Sequence, residues 1–566
     1  MPLFGALYVG ASGLQTSQNA LNTTAHNMSN LDTTGYTRQQ VLQGTRGYNT
    51  ISVSLKAVSN QEVGLGVYYS KVRQVRDYFL DQTYRKEIGR YSFYEASAEA
   101  ISEVEDLLGE LHGVSFSAAY DDLWVAVQEL AKDPTASVGQ GLLVNKAYSF
   151  LDRAKAVYDG LVDYQDNLNL QVKQNVDKIN AYGKQLKELN DRIRKIQAGG
   201  VEEPNDLRDA RNQILDELAG LANITYKESI NGTVTVKLEG VDFVQEDIVN
   251  EIGLEQDEST GFYTPFWTQN AKFTLDASGK KIYDTTGALV YDLEREISSD
   301  LNTDIGGLKA ILHARGHKRA DYTDLEDGDT YNKDIAQSVV MNVQAEFDKM
   351  IHAVATKMNK VLADAAEQAT AENPDSTYMR DSKGRPLQLF TKIGSDGYTW
   401  DATNNKWDYV KEEIYNAAGE VEPKRDTLYN ISNIQINPEL LQTPTKLDLI
   451  KPDGSADYEL GTALKNIFTE DGYRLNPNVQ TTCTLQTFYN DLVSQVGNTG
   501  LVYSSILINQ QTTVESTEYA RQEVVGVSSD EELNNMIKFQ NAYNASSRYI
   551  NVIDELLEHI INTLGT

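Results

Sequence analysis

A mainly α-helical chain with inserted β domains, an α+β multidomain protein, is the fold class this sequence predicts. Three observations carry the prediction. Apolar residues recur at heptad spacing at both ends of the chain, and a longer heptad pattern runs through 151–196. Two segments, 226–305 and 371–483, lose that period and turn to Tyr, Asp, Asn, Thr and Gly with short alternating runs.

The first helix is read from Phe4, Leu7, Ala11, Leu14, Gln18, Leu21, Ala25 and Met28, spaced alternately three and four apart. Its seam is thin and built of small residues, so alone in water it is marginal and needs a partner. It stops in "AHNMSNLDTTGYTRQQV" (25–41), where Arg38 is the first basic side chain and only Asp32 is charged before it. Helical patterning returns over 93–131 and closes at "KDPTAS". The longest helix follows, with rows from Leu151 to Ile193 and from Ala154 to Ile196, a rod on the order of 70 Å at about 1.5 Å per residue. It ends at "AGG" (198–200).

"ITYKESINGTVTVKL" (224–238) alternates around Asn231-Gly232, a hairpin signal. Residues 335–365 carry a helical stripe, and 484–520 another that Gly497 and Gly500 break. The last helix is capped at Ser529 and led by Asp530, Glu531 and Glu532, which suit the positive end of its dipole. Its stripe comprises Met536, Phe539, Tyr543, Ile550, Ile553, Leu557, Ile560 and Leu564, and it ends at Gly565. Two terminal stripes with matching needs predict that the chain's ends pair as a coiled coil.

The net charge of −31, from 51 Lys and Arg against 82 Asp and Glu, repels phosphate backbones and anionic lipid and argues against nucleic-acid binding. One cysteine, Cys483, cannot form an internal disulfide or a Cys-based zinc site. No apolar run approaches the roughly 20 residues that span a bilayer, so no membrane insertion is expected. The start lacks the basic region of a Sec signal peptide, so export, if it occurs, takes another route.

Candidate chemistry is sparse. The histidines (26, 112, 313, 317, 352 and 559) are scattered, and Gly316 intervenes between the one helical pair, His313 and His317. "DLEDGDTYNKD" (324–334) lacks the alternation and glycine position of a calcium loop. Trp400 and Trp407 flank an Asn-Asn turn and read as a cross-strand aromatic pair more readily than as a sugar platform. No catalytic residue, metal site or cofactor is expected.

The opening stretch resembles the N-terminus of flagellar rod, hook and hook-associated proteins, and its Gly35-Tyr36-Thr37-Arg38 turn is similar to the hook-associated protein 1 family. Further stretches resemble that family in order: "GLGVYYSKVRQVRDYFLDQTYRKE" (64–87), "LAKDPTAS" (130–137), "PNDLRDARNQILDELAGLANI" (204–224), "GGLKAILHAR" (306–315), "ISNIQINPELLQTPTKL" (431–447), "FYNDLVSQVG" (488–497) and 527–564. The resemblance implies a non-enzymatic junction between hook and filament, located extracellularly in the flagellum, exported through the flagellar type III path and self-assembling. Tyr36 and Arg38 would help fix the turn after the first helix. Implied partners are further copies of itself, the hook protein, the second hook-associated junction protein and a cytoplasmic export chaperone. The chaperone would bind Met536, Phe539, Tyr543, Ile550, Ile553, Leu557 and Ile560, exposed before assembly.

The implied domains are 1–75 with 523–566 as a terminal coiled-coil core, 76–225 with 306–370 and 484–522 as a helical rod, and 226–305 and 371–483 as β-rich outer inserts. Alternatives are another flagellar axial protein, flagellin or the second junction protein, and a secreted adhesin or enzyme with its site in 371–480.

Overall fold

The structure, a computed structural model, describes residues 2–53, 60–109, 115–199, 203–275, 281–404, 406–416 and 418–564. His112, Gly200 and Gly565 lie outside the described residues, as does the side chain of Leu564.

Helix α1 (Pro2–Ser29) opens the chain. A ribbon follows, in which β1 (Gln39–Thr45) pairs antiparallel with β4 (Val67–Gln74), and β2 (Tyr48–Val53) pairs with β3 (Asn60–Gly64) beyond it. Next come α2 (Tyr78–Gly109), α3 (Phe116–Lys132), α4 (Ser137–Ala198) and α5 (Asn205–Leu221). The first β region holds the sheet β5 (Ile224–Glu228), β6 (Val234–Leu238) and β7 (Val241–Val244), then the pairs β8 (Ile252–Gln256) with β9 (Tyr263–Trp267) and β10 (Lys272–Leu275) with β11 (Lys281–Asp284). Helices α6 (Gly307–Arg315) and α7 (Val339–Glu372) return to the body. The second β region pairs β12 (Phe390–Lys392) with β15 (Ile434–Ile436) and β13 (Tyr398–Asp401) with β14 (Lys406–Tyr409). Helices α8 (Tyr458–Thr469), α9 (Leu485–Val525) and α10 (Ser529–Leu564) complete the chain. The molecule is 58% helical with several small β sheets.

The long helix is longer than its clearest repeats. It spans 62 residues, about 93 Å. It starts 14 residues before Leu151, at a stretch where Gly139 and Gly141 interrupt the apolar pattern and hide the onset. The predicted 93–131 helix is two helices. Asp77 starts the first by accepting from the amides of Phe79 and Leu80 (2.8 and 3.3 Å), and Ser115 caps the second on Ala118 N (3.0 Å). The Gly497 and Gly500 breaks do not occur: α9 is continuous for 41 residues. At those positions it runs against α2, where a Cβ on Gly500 would sit 3.3 Å from Ile101 Cγ2 and one on Gly497 would sit 3.4 Å from Glu105 Oε1. Close helix approach, not helix termination, uses these glycines.

The core is continuous through the body. Phe116 of α3 meets Phe347 of α7 and Tyr489 of α9 at ring separations of 4.9 and 4.8 Å. The Asn231-Gly232 hairpin forms as predicted, with Gly232 at φ +79° and Ser229 N–H donating to Thr233 O at 2.8 Å. The 371–483 segment is less β-rich than predicted. It contributes α8, whose Gly461 packs on the Ala131 backbone of α3.

Candidate functional site: the terminal helices and their joint

Helices α1 and α10 lie side by side and run antiparallel, since Gly10 meets Ile550 while Gly13 meets Ser546. A Cβ on Gly10 would fall 2.8 Å from Ile550 Cγ1, and one on Gly13 would fall 2.8 Å from Ser546 Oγ. The same face continues at three- and four-residue steps through Ser17, Ala20, Thr24 and Asn27, all at most 7% exposed. Small residues thus let the two backbones approach, and the large side chains of α10 supply the bulk.

This corrects the expectation for α1. The predicted row of Phe4, Leu7, Ala11, Leu14, Leu21, Ala25 and Met28 is one position further along, about 100° around the helix. Phe4 is 55% exposed, Ala11 and Ala25 are exposed, and Leu7, Leu14, Leu21 and Met28 are half-buried. Size misled the sequence reading, because the intramolecular seam consists of the smallest residues.

On α10 the predicted stripe lies on the α1 side. Met536, Phe539, Tyr543, Ile550 and Leu557 are half-buried, Ile553 is 6% exposed, and Ile560 is exposed near the helix end. Apart from Ile560, the stripe is therefore partly covered rather than exposed. Away from that stripe, Leu533, Ile537, Val552, Leu556 and Ile561 of α10 are individually open to solvent. The helix cap is Ser528, one residue before the expected Ser529: its carbonyl accepts from Glu532 N at 3.0 Å.

The turn 30–38 joins this pair to the body. Gly35 takes φ +80°, a left-handed conformation that favours glycine. Tyr36 Oη donates to Asn27 Oδ1 at 2.8 Å, and Asn27 also bonds both backbone groups of Gln39 (2.9 and 3.0 Å), closing the end of α1 onto β1. Thr37 N–H donates to Asp209 Oδ2 of α5 at 3.2 Å. Arg38 ties the turn to the opposite terminus. Its amide donates to Val525 O at 2.9 Å, its Nη1 lies 2.8 Å from Glu531 Oε2, and its Nε lies 2.9 Å from Glu532 Oε1. Residues 494 positions apart are so held together.

Behind the turn, three helices meet in a charged network. Arg521 near the end of α9 reaches Asp81 of α2 (3.0 Å) and Asp216 of α5 (2.6 Å). Arg76 pairs with Asp81 (2.7 Å) and Arg85 with Asp216 (2.6 Å). Burial works against the Arg521 charge, but Asp216 and Asp81 outweigh it and hold its guanidinium above the ordinary range. Burial likewise raises the Asp81 carboxyl, and the Arg76 hydrogen bond with the charges of Arg76, Arg85 and Arg521 brings it below the ordinary range. Asp209 goes the other way. Burial lifts it to about 6, although it accepts from Thr37 and stands near Arg76. Burial and the carboxylates of Asp209, Asp206 and Glu532 raise the Tyr36 phenol. An open groove of about 730 Å³ lies between residues 31–37 and α5 with the end of α9.

Sequence reasoning placed Arg38 and Tyr36 at this turn but missed Asp81, Arg85, Asp209, Asp216 and Arg521. The first four lie within the stretches quoted for the resemblance, at 64–87 and 204–224, which was their only local signal.

The other candidates resolve into structure. His313 is buried edge-on to Phe93, and burial lowers it to about 4. Lys318 pairs with Asp324, whose side chain closes a capping box with Asp321. Trp400 and Trp407 face each other across β13 and β14 at 5.1 Å, at an edge angle of 64°. Among the described residues, no group of three His, Cys, Asp or Glu side chains could hold a metal ion.

Comparison with known proteins finds flagellar matches along the chain. The profile of the flagellar hook-associated protein FlgK helical domain matches residues 101–373. That of the flagella basal body rod protein matches 7–37, and that of the flagellar basal body rod FlgEFG protein C-terminal matches 520–563. The two short matches cover the halves of the terminal pair. Flagellar hook-associated protein 1 of Bacillus subtilis is 25% identical over 99% of this chain and 98% of its own length. That of Escherichia coli is 24% identical over 97% and 98%. The flagellar hook junction protein FlgK from Burkholderia pseudomallei shares the fold at a TM-score of 0.53 and 12% identity, over 79% of this chain and all of its own. The chain is thus similar over nearly its whole length to flagellar hook-associated protein 1, and over residues 101–373 to the FlgK helical domain.

Proposed function

We propose that this protein is a structural component of the bacterial flagellum that joins hook to filament, acting by assembly rather than by catalysis. One observation carries the reading. The terminal pair is closed on its small-residue seam yet leaves large apolar side chains uncovered, Phe4 and Tyr8 on α1 and Leu533, Ile537, Val552, Leu556 and Ile561 on α10. Uncovered apolar side chains on paired terminal helices suit burial against further copies.

In this reading residues 1–75 and 523–566 form a coiled-coil core, 76–225 with 306–370 and 484–522 a stiff rod, and 226–305 with 371–483 the outer inserts. The partners are other copies, the hook protein and the second junction protein. The chain reaches the cell exterior through the flagellar type III path, and a cytoplasmic chaperone masks Met536, Phe539, Tyr543, Ile550, Ile553, Leu557 and Ile560 before α1 covers them. Deleting the protein tests the proposal: hooks should form without filaments, with flagellin monomers released to the medium. Normal filaments in the deletion strain would refute it.

A further inference from the structure

Charge is distributed very unevenly along this chain. Residues 1–76 hold six Lys and Arg against two Asp and Glu, a net +4, so the remaining 490 residues carry −35. Part of the positive charge sits on the outer face of the β1–β4 ribbon, and a backbone irregularity puts it there. Leu42 pairs with Lys71 but Gln43 pairs with Tyr69, so Ser70 is an extra residue on β4. Such a bulge breaks the alternation of faces and re-aims the residues that follow. Tyr68 before it and Lys71 and Arg73 after it are all exposed, while Tyr69 and Val72 are partly covered. Arg73 bonds only the neutral Gln40 side chain (3.0 and 3.3 Å), and Lys71 lies 3.9 Å from Glu203. Arg46, at the far end of β1, is exposed and has no carboxylate partner among the described residues.

Elsewhere the chain presents the complement. Residues 91–109 of α2 contain no Lys or Arg, and Glu95, Glu99, Glu103 and Asp106 stand exposed along one face with no ion-pair partner among the described residues. The spacings match: Lys71 and Arg73, two residues apart on a strand, are about 7 Å apart along it, and Glu95, Glu99 and Glu103, four residues apart on a helix, rise about 6 Å from one to the next.

We infer that the ribbon face of Arg46, Lys71 and Arg73 docks on the Glu95–Asp106 stripe of α2 in a second copy of this chain. The inference rests on the assembly proposed above and adds which surfaces meet. It supplies attraction where copies carrying −31 each would otherwise repel.

The test uses the full-length chain. Equal amounts of ¹⁴N- and ¹⁵N-labelled protein are concentrated until oligomers form and treated with a zero-length carbodiimide, and cross-linked peptides are read by mass spectrometry. Mixed-isotope links from Lys71 to Glu95, Glu99, Glu103 or Asp106 are expected. In parallel, the triple variant Arg46→Gln, Lys71→Gln, Arg73→Gln should oligomerise about tenfold more weakly than wild type at low salt, with the difference lost near 1 M salt, where the screening length falls to about 3 Å. Lys71 linked only to Glu203 of its own chain, inter-copy links that land elsewhere, or an unchanged salt dependence in the triple variant would overturn the inference. If wild type forms no oligomer at any salt, the assembly proposal itself fails, which is a separate result. Retention of the monomer's circular dichroism by the variant excludes misfolding as the cause of weaker association.

Discussion

Arg38→Met should detach the start of α10 from the turn that follows α1. The two ion pairs that Arg38 makes are unequal. Glu531 is 61% exposed in its side chain, and a pair in that setting contributes at most about 0.5 kcal/mol. Glu532 is 3% exposed, and Arg38 Nε, at 2.9 Å, is its ion-pair partner, so removing the guanidinium leaves a buried carboxylate uncompensated. Breaking a buried pair from one side costs roughly 3 kcal/mol, and that figure dominates. Because 1.4 kcal/mol corresponds to a factor of ten, amides at the start of α10 should exchange about a hundredfold faster. Hydrogen exchange read by mass spectrometry over 529–540 measures this directly. The double variant Arg38→Met, Glu532→Gln removes the orphaned charge and should recover roughly 2 kcal/mol of the loss, a non-additive result. A single-variant effect below about 0.5 kcal/mol, or strict additivity in the double variant, would refute the reasoning that buried Glu532 is what Arg38 secures.

Three further outcomes follow from the geometry. Gly10→Leu places side-chain atoms where a Cβ alone would already stand 2.8 Å from Ile550, so α1 should separate from α10, and cross-linking between engineered cysteines at Ser17 and Tyr543 should fall sharply; unchanged cross-linking would mean the seam lies elsewhere. Asp209 has a folded pKa raised from 3.8 to about 6, so its stabilising contribution is fully present below pH 4 and is lost as pH rises through 6, a change of roughly 3 kcal/mol. Asp209→Asn should therefore remove a loss of local stability between pH 4 and pH 7 that exchange of the 205–215 amides reports in wild type. In the free monomer, α1 and α10 should be far less protected from exchange than α4, since their seam is narrow and several large apolar side chains on each stay wet; protection equal to that of α4 would sink this.

How much of this was legible in sequence depended on where each signal lay. The 151–196 helix was plain because seven repeats keep one period and contain no proline. Its true start at Ser137 was not, because Gly139 and Gly141 weaken the apolar pattern there. Gly497 and Gly500 were misread because a helix breaker and a close helix contact look alike until the partner is known. The α1 seam was displaced by one residue because hydrophobic patterning follows large side chains, whereas this contact is made by Gly10, Gly13 and Ala20. The joint was the least legible part. Its long-range bonds connect residues 131 to 494 positions apart, and no local pattern distinguishes Asp216 from any other of the 82 acids.

Helix α4 has a mechanical consequence. Its C-terminal turns reach the joint, where Gln197 lines a cleft with Arg76 and Asp81, while its first turns lie far off beside α3 and the 444–448 loop. A continuous helix of about 93 Å is a lever with its fulcrum beside the terminal pair. Tilting it by 5° at the joint sweeps the far end through about 8 Å, so a small adjustment among Arg38, Arg521 and their carboxylates becomes a large displacement at the periphery. In the assembly proposed above, this lever would turn any difference in angle between copies into travel at the outer surface while the core contacts stay nearly fixed.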